Sequence, residues 1–523
     1  VRPAIGNPVE VGNPVEVGNP AEVAEPADVT VVGAGPVGLT VAALLGQRGW
    51  RVRVIERQAS ASGLPRAVHL DDQAARILDA AGVMADLAPR TEPMDAYEWQ
   101  AADGRVLLRL QSETPLGRSG WPASSMFAQP DLEDLLERRL DQLATVTVER
   151  GHRVDTLDEL GEGWVVACDG ARSTVRSLLG VEMDDHGFHF DWLIVDVVHD
   201  HHRQWVPLNV QICDPARPTT AVSGGPGRRR WEFMCLPGED VATLDTEESA
   251  WQLLAPWDLH AENARLERHA VYRFEARLAQ MWRVGNAFLA GDAAHQMPPF
   301  AGQGLCAGLR DAANLAWKLD LVLSGRAGEH ILDSYGSERA AQVRVEIDFS
   351  VDLGRIICVT DPVAAATRDQ DMGAAAALSG PIAPPPPPPL GPGVLLDGDP
   401  HAGHLGVQGS WPTDGDLRFD DVVGRGWVLY ERSGAPAGAD GDGAGGSHDG
   451  TVGEPDATLS VWWAQLDGRS VDISQGPELY QRWLRELDAD AVLVRPDFVV
   501  FGTARGPHAA ASLIAALRRS LVG

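Results

Sequence analysis

The run Val29 to Val32 (VTVV) is followed by a glycine-rich turn and then by apolar positions at Val37, Val41, Leu44 and Leu45. The run predicts a buried strand and the later spacing predicts one face of a helix. A second strand, Arg51 to Ile55, ends on Glu56. Strand, turn, helix and strand in this order open a doubly wound α/β domain. Two further strands belong with it: Trp164 to Cys168, leading into Asp169-Gly170, and Ala287 to Ala290, leading into Gly291-Asp292. Between Val181 and Val284, alternating runs such as Trp192 to Val198 and Trp231 to Leu236 predict a mostly antiparallel domain inserted in the first. A proline run, Pro384 to Pro389, suits a stiff linker. Strands at Trp427 to Tyr430, Ala491 to Val494 and Phe498 to Phe501, with a closing helix from His508 to Leu521, predict a third domain. Gly434 to Gly450, rich in Gly, Ala and Asp, reads as a loop within it. The expected boundaries are an arm at 1–27, the split first domain at 28–180 and 285–380, the insertion at 181–284, the linker at 381–392 and the tail at 393–523.

Composition narrows the function classes. The arm repeats GNPVEV from Gly6 and Gly12 and GNPAEV from Gly18; it lacks the apolar core of a signal peptide and suits a disordered segment. A formal charge of −30 argues against nucleic acid and against an anionic membrane surface. Lys318 is the only lysine, so lysine chemistry has one candidate. Cys168, Cys213, Cys235, Cys306 and Cys358 form no CxxC pair, which excludes a zinc knuckle and reads as reduced thiols in a cytoplasmic protein. The longest helical candidate, Leu305 to Leu323, carries Arg310, Asp311, Lys318 and Asp320 and is too polar to span a bilayer. His201-His202 beside Asp200 reads as a solvated loop, and no other spacing supports a metal.

Chemistry enters with Gly33-Ala34-Gly35-Pro36-Val37-Gly38 and Glu56. Glycines let the backbone turn tightly and approach a pyrophosphate resting on the positive end of the next helix. The acid at the end of the second strand suits a free ribose 2′-hydroxyl, as in FAD or NAD. Two later motifs choose between them: CDGARSTVR, with Asp169 and Gly170, and GDAAHQMPPFAGQG, with Gly291, Asp292, Pro298, Pro299, Gly302 and Gly304. These resemble the DG and GD fingerprints of the single-component aromatic hydroxylases of the para-hydroxybenzoate hydroxylase type. The GD segment, CDPARPTT from Cys213, RRRWEFMCLPGED from Arg228 and LDSYGSERAAQV from Leu332 are similar to the 3-(3-hydroxyphenyl)propionate hydroxylase branch.

The resemblance implies a Rossmann-like FAD-binding domain of the glutathione-reductase type, an inserted mostly antiparallel β substrate domain and a thioredoxin-like C-terminal domain. It implies that Gly33, Gly35, Gly38 and Glu56 hold the ADP half of FAD and that Arg66 and Gln129 reach the pyrophosphate and ribityl region. Asp292 would bind ribityl hydroxyls. The Pro298 to Gly304 loop would lie beside the flavin ring, its N–H groups favouring negative charge there. Asp169 and Gly170 belong to a motif linked to FAD and nicotinamide. With one dinucleotide unit, NADH or NADPH would bind transiently while FAD stays tightly bound. The implied reaction is hydroxylation of a phenolic ring with NAD(P)H and O2 through a C4a-hydroperoxyflavin, which requires exclusion of water and an acceptor for the phenol proton. His69 is the candidate acceptor, against the structural reading of a histidine at a strand end. The tail has no cysteine, so the resemblance leaves it a structural or dimerising role, a homodimer being the assembly implied. Two departures stand out. DTLDELGEG replaces a strand pair before the DG motif, which bears on flavin retention, and Leu108 to Arg118 is irregular. A hydroxylase of polyketide or antibiotic aromatics, a non-hydroxylating flavin oxidoreductase and a non-catalytic scaffold remain as alternatives.

Overall fold

The computed structural model describes residues 26–61, 63–199, 203–411, 417–432, 457–474 and 476–523. The expectations for residues 1–25, for His201-His202 and for Gly434 to Gly450 lie outside them.

Val29–Val32 is a strand buried at all four positions, as a β-branched run in a parallel sheet covered on both faces must be. It pairs in parallel with Val52–Glu56 on one side and Trp164–Ala167 on the other. Val146–Arg150 extends the sheet beyond Val52–Glu56, and Ala287–Leu289 beyond Trp164–Ala167; a short antiparallel edge, Arg283–Val284, completes six strands. Helix Pro36–Gly46 follows the first strand, its start set by proline in the first turn.

The second sheet has eight strands and is larger than the predicted insertion. Its centre is the long antiparallel pair Met183–His199 and Ala264–Ala279, with Arg228–Met234, Thr219–Ser223 and Asn209–Ile212 continuing outward. The hairpin Ala96–Gln100 and Val106–Gln111 forms the far edge, and His295–Gln296 forms the other. These three strands lie outside the expected insertion, 181–284, so the sheet draws its two edges from the segments on either side of it. The irregular Leu108 to Arg118 segment begins as the outermost of them. One face packs Leu193, Val195, Trp231 and Phe233 against Ala250 and Leu254 of the helix Glu247–Leu254. The other face, with Trp192, Ile194 and Met234, joins the core of the first domain.

The shortened DTLDELGEG stretch leaves no gap. It forms a turn, Leu157–Leu160, opened by a reciprocal Thr156–Glu159 capping box, and Leu160 is buried with its carbonyl accepting from Thr30 Oγ1 at 3.0 Å.

The tail is a mixed four-stranded sheet ordered Arg469–Asp472, Val428–Glu431, Ala491–Val494 and Val500–Ala504, with helices Ala457–Gln465, Glu478–Glu486 and Ala509–Val522. It docks on helices Gly304–Leu323 and Ser334–Ile357 through a buried ionic cluster. Glu338 Oε2 accepts from Asn314 Nδ2 (2.8 Å), Lys318 Nζ (2.9 Å) and Arg495 Nη2 (2.8 Å), while Oε1 accepts from Val394 N (2.7 Å). Asp497 binds Arg495 at 2.6 Å, which balances two cations with two anions. The single lysine is thus a structural partner in a wholly buried junction. Among the described residues no helix is long and apolar enough to cross a membrane.

Candidate cofactor and substrate site

The carboxyl ends of three neighbouring parallel strands bring the predicted motifs together, where open α/β sheets bind their ligands. Gly33 follows the first strand with φ +103, and a Cβ there would lie 2.4 Å from the Cys168 carbonyl oxygen. A Cβ on Gly38 would lie 2.0 Å from the Gly33 carbonyl. Both glycines are required by the protein's own packing. Gly35 differs: its backbone is extended, and a Cβ would meet nothing within 4 Å. Nothing in the chain demands glycine there, which is what a close ligand approach requires. Glu56 binds the same turn, Oε2 accepting from Ala34 N at 2.9 Å and Oε1 from Gln58 N at 2.7 Å. Each carboxylate oxygen keeps lone-pair capacity for ribose hydroxyls.

Asp292 is exposed and has no hydrogen bond or ion pair among the described residues. Even so, the surrounding protein mass pushes its carboxyl above the ordinary value, with His295 and Arg66 pulling the other way. The carboxylate is thus open to solvent yet closely surrounded by protein. Arg66 is exposed near it, and Gln129 fixes that loop, its Oε1 accepting from Ala67 N at 2.7 Å while Nε2 donates to Glu133 at 2.7 Å. Gln129 is therefore a brace, with both ends of its amide engaged.

Asp169 is also engaged. Its carboxylate accepts from Ser173 Oγ (2.5 Å), Thr174 N (2.7 Å) and Val175 N (3.1 Å), holding the start of helix Thr174–Leu178. Gly170 takes φ +82 beside it. Arg176 donates to the Ala293 carbonyl at 2.9 Å, tying this motif to the Gly291-Asp292 turn. Gly291 N and His295 Nε2 both meet Asp311 Oδ2, at 2.9 and 2.7 Å, so His295 anchors the motif to helix Gly304–Leu323.

The loop after it runs Pro298, then a turn Pro299–Ala301, then Gly302 at φ +65, and ends where Gly304 starts the long helix. No side chain caps that helix or helix Pro36–Gly46, so both present free N–H groups at their positive ends. His69 holds the loop: Nδ1 lies 3.0 Å from the Gly302 carbonyl and Nε2 2.6 Å from Ser124 Oγ. A carbonyl only accepts, so Nδ1 carries the proton and Nε2 accepts from the serine. Burial lowers the imidazole pKa, with Asp71 and the Gly302 bond opposing, and keeps it neutral.

The residues present fit FAD: an open backbone at Gly35, an unpartnered carboxylate at Asp292, an acid at the second strand end and two uncapped helix starts. Alanine at Glu56 is expected to weaken FAD binding by about 1.5–3 kcal/mol, the worth of hydrogen bonds to a charged group. Alanine at Asp292 should weaken it comparably while leaving the cofactor-free protein as stable as before. Flavin fluorescence titration and thermal melts read both, and unchanged affinity in both variants would remove these residues from the site.

The substrate side was not foreseen residue by residue. Phe300 of the loop packs edge-on against Trp192 (5.5 Å) and Phe274 (6.1 Å) of the large sheet. That inner face also carries Tyr97, Gln211, Thr220, Arg230 and Glu232, placed there by strand register. The signal for it was available in RRRWEFM: Trp231 and Phe233 alternate with Arg230, Glu232 and Met234, so charge falls on one face of a strand buried on both.

Comparison with known proteins agrees with this geometry. Residues 26–350 match the FAD binding domain family. A protein of Rhodococcus jostii (strain RHA1) named as a probable NADH-specific resorcinol 4-hydroxylase is 35% identical over 94% of each chain. The 3-(3-hydroxy-phenyl)propionate/3-hydroxycinnamic acid hydroxylase of Mycobacterium sp. (strain JLS) is 38% identical over 65% of this chain, a match that takes in 62% of that relative's length. Among solved structures, p-nitrophenol 4-monooxygenase from Pseudomonas putida DLL-E4 superposes with TM-score 0.60 at 26% identity, covering 67% of this chain and 93% of that one. Aklavinone-11 hydroxylase with FAD and aklavinone superposes over 95% of this chain and 99% of its own with TM-score 0.72; at 24% identity it speaks for the fold.

Proposed function

The chain belongs to the FAD binding domain family of flavin-dependent aromatic monooxygenases, and from that premise we propose that it hydroxylates a small meta-substituted phenol of the resorcinol or 3-(3-hydroxyphenyl)propionate type, with NADH as reductant. The observation that carries the reading is the resemblance, over nearly the whole length, to a relative named for resorcinol and NADH, joined to a cleft whose glycine and carboxylate the protein itself does not use.

Bound FAD supplies the reductive activation of O2 by a nicotinamide. Gly35 and the start of helix Pro36–Gly46 receive the pyrophosphate, Glu56 the ribose hydroxyls and Asp292 the ribityl chain. Arg66, beside Asp292, would meet the phosphates, while Gln129 and Asp169 hold the loops on either side. The Pro298–Gly304 segment orients the reacting end, and neutral His69 keeps Gly302 in place as a positioning residue. Trp192, Phe274 and Phe300 keep water from the ring. The tail, a four-stranded mixed sheet with flanking helices, supports a thioredoxin-like unit with a structural role. Five unpaired cysteines favour a reducing, cytoplasmic setting.

The test is to supply FAD-loaded protein with NADH or NADPH, isotopically heavy O2 and either resorcinol or 3-(3-hydroxyphenyl)propionate. One labelled oxygen atom in the ring product, with NADH preferred, is expected. NADH consumption yielding only hydrogen peroxide would instead identify an oxidase.

A further inference from the structure

Glu232 sits in the middle of strand Arg228–Met234 and is nearly fully buried. Among the described residues it makes no hydrogen bond or ion pair, whereas Asp196, Arg230 and Arg268 on this face are ion-paired with one another. Asp196, on the neighbouring strand, binds Arg230 Nε at 2.7 Å and Arg268 Nε at 3.1 Å. Arg230 further donates to the Arg66 carbonyl at 2.5 Å, which sets this face against the loop at the cofactor cleft. Directly opposite Glu232 are Ile194 and Thr220; Thr220 Oγ1 donates to Gln211 Oε1 at 2.7 Å, and Tyr97 Oη reaches the same oxygen at 3.4 Å. A lone carboxyl thus stands within a polar cluster, between the aromatic wall of Trp192 and Phe300 and the hydroxyl of Tyr97.

Resting on the phenol-hydroxylase reading, we propose that Glu232 is the catalytic acceptor of the phenol's hydroxyl proton, with the Tyr97 hydroxyl holding that oxygen and Gln211, itself fixed by Thr219 and Thr220, orienting Tyr97. The substrate O–H bond breaks and its proton passes to a Glu232 carboxylate oxygen. The electron pair left behind spreads into the ring and makes the ortho and para carbons nucleophilic. One such carbon takes one oxygen atom of O2 and gives up its ring proton, which ends on that oxygen as the new hydroxyl, and Glu232 returns its proton to the phenol oxygen. The second oxygen atom leaves as water, using the two electrons and the proton of NADH and one proton from solvent.

A base poised near the working pH serves this role best. Burial pushes the Glu232 carboxyl up to about 7; Arg230 and Arg268 pull it down and Asp196 adds to the rise. Glu232 in turn raises the Tyr97 phenol, already pushed up by burial. The active form of Glu232 is the carboxylate, so hydroxylation should increase as pH rises through about 7.

Glu232→Gln and Glu232→Asp, made in the FAD-loaded full chain and assayed with resorcinol, test this. The Gln variant should keep its FAD and its resorcinol-stimulated NADH oxidation. Its yield of hydroxylated product per NADH should fall by roughly 10²-fold, hydrogen peroxide making up the difference, and the rise near pH 7 should vanish. The Asp variant should restore part of the yield with a displaced pH limb, and it carries the test alone if the Gln variant does not retain FAD. Unchanged yield and pH dependence in either variant would overturn the proposal while leaving the phenol-hydroxylase reading intact. Failure of the wild type to hydroxylate any phenol would remove both.

Discussion

Glu338→Ala is expected to lower folding stability by roughly 3–5 kcal/mol and to loosen the tail from helix Gly304–Leu323, because it strands buried cations without their partner. Glu338, Lys318 and Arg495 are all fully buried. Burial alone would raise the Glu338 carboxyl, but Arg495 and Lys318 outweigh it and hold the group well below the usual carboxylate range. The sign of the pH dependence follows. A depressed carboxyl stabilises the fold above its unfolded value and loses that contribution as pH falls through the native one. Lys318 behaves differently, since burial drives its ammonium down to about 8 despite Glu338. Its charge is tolerated, and Lys318→Met should cost much less, about 1 kcal/mol or below, because Glu338 keeps Arg495, Asn314 and the Val394 amide. Urea unfolding of both variants reads the contrast. Equal, small losses would show that the junction is held by the apolar packing around Trp317 and Trp427 instead.

How far this could be read from the chain depends on whether the signal was local. The strands Val29–Val32, Trp164–Ala167, Ala287–Leu289 and Ala491–Val494 lie where continuous apolar runs predicted them, within one or two residues. Gly33, Glu56, Gly291 and Asp292 stand at strand ends as expected, because their motifs tie residue type to that position. The hairpin Ala96–Gln100 and Val106–Gln111 was not, because its place in the large sheet is decided by pairing with Asn209–Ile212, more than a hundred residues away. Glu232 escaped for a related reason: a carboxyl becomes conspicuous only when three neighbouring strands show that its face is buried. His69 is put forward from the chain as the acceptor of the phenol proton, with a structural part as the alternative, and only the distance to Gly302 reveals that its ring pins the loop.

Gly35→Ala should leave the cofactor-free protein within about 1 kcal/mol of wild type, since the new methyl meets no atom within 4 Å and the backbone is already extended. FAD affinity should nonetheless fall by about 2–3 kcal/mol, or roughly 30- to 150-fold in Kd, if that space is where the pyrophosphate lies against the chain. Gly33→Ala offers the opposite outcome. Its φ of +103 strains any L-residue and its Cβ would press on the Cys168 carbonyl, so the fold itself should lose about 3 kcal/mol or more. The pair separates a glycine kept for folding from one kept for a ligand. Melting temperature and flavin titration, measured on both, give the comparison. A Gly35→Ala protein that binds FAD as tightly as wild type would mean that the pyrophosphate lies elsewhere, and the roles given to Glu56 and helix Pro36–Gly46 would fall with it.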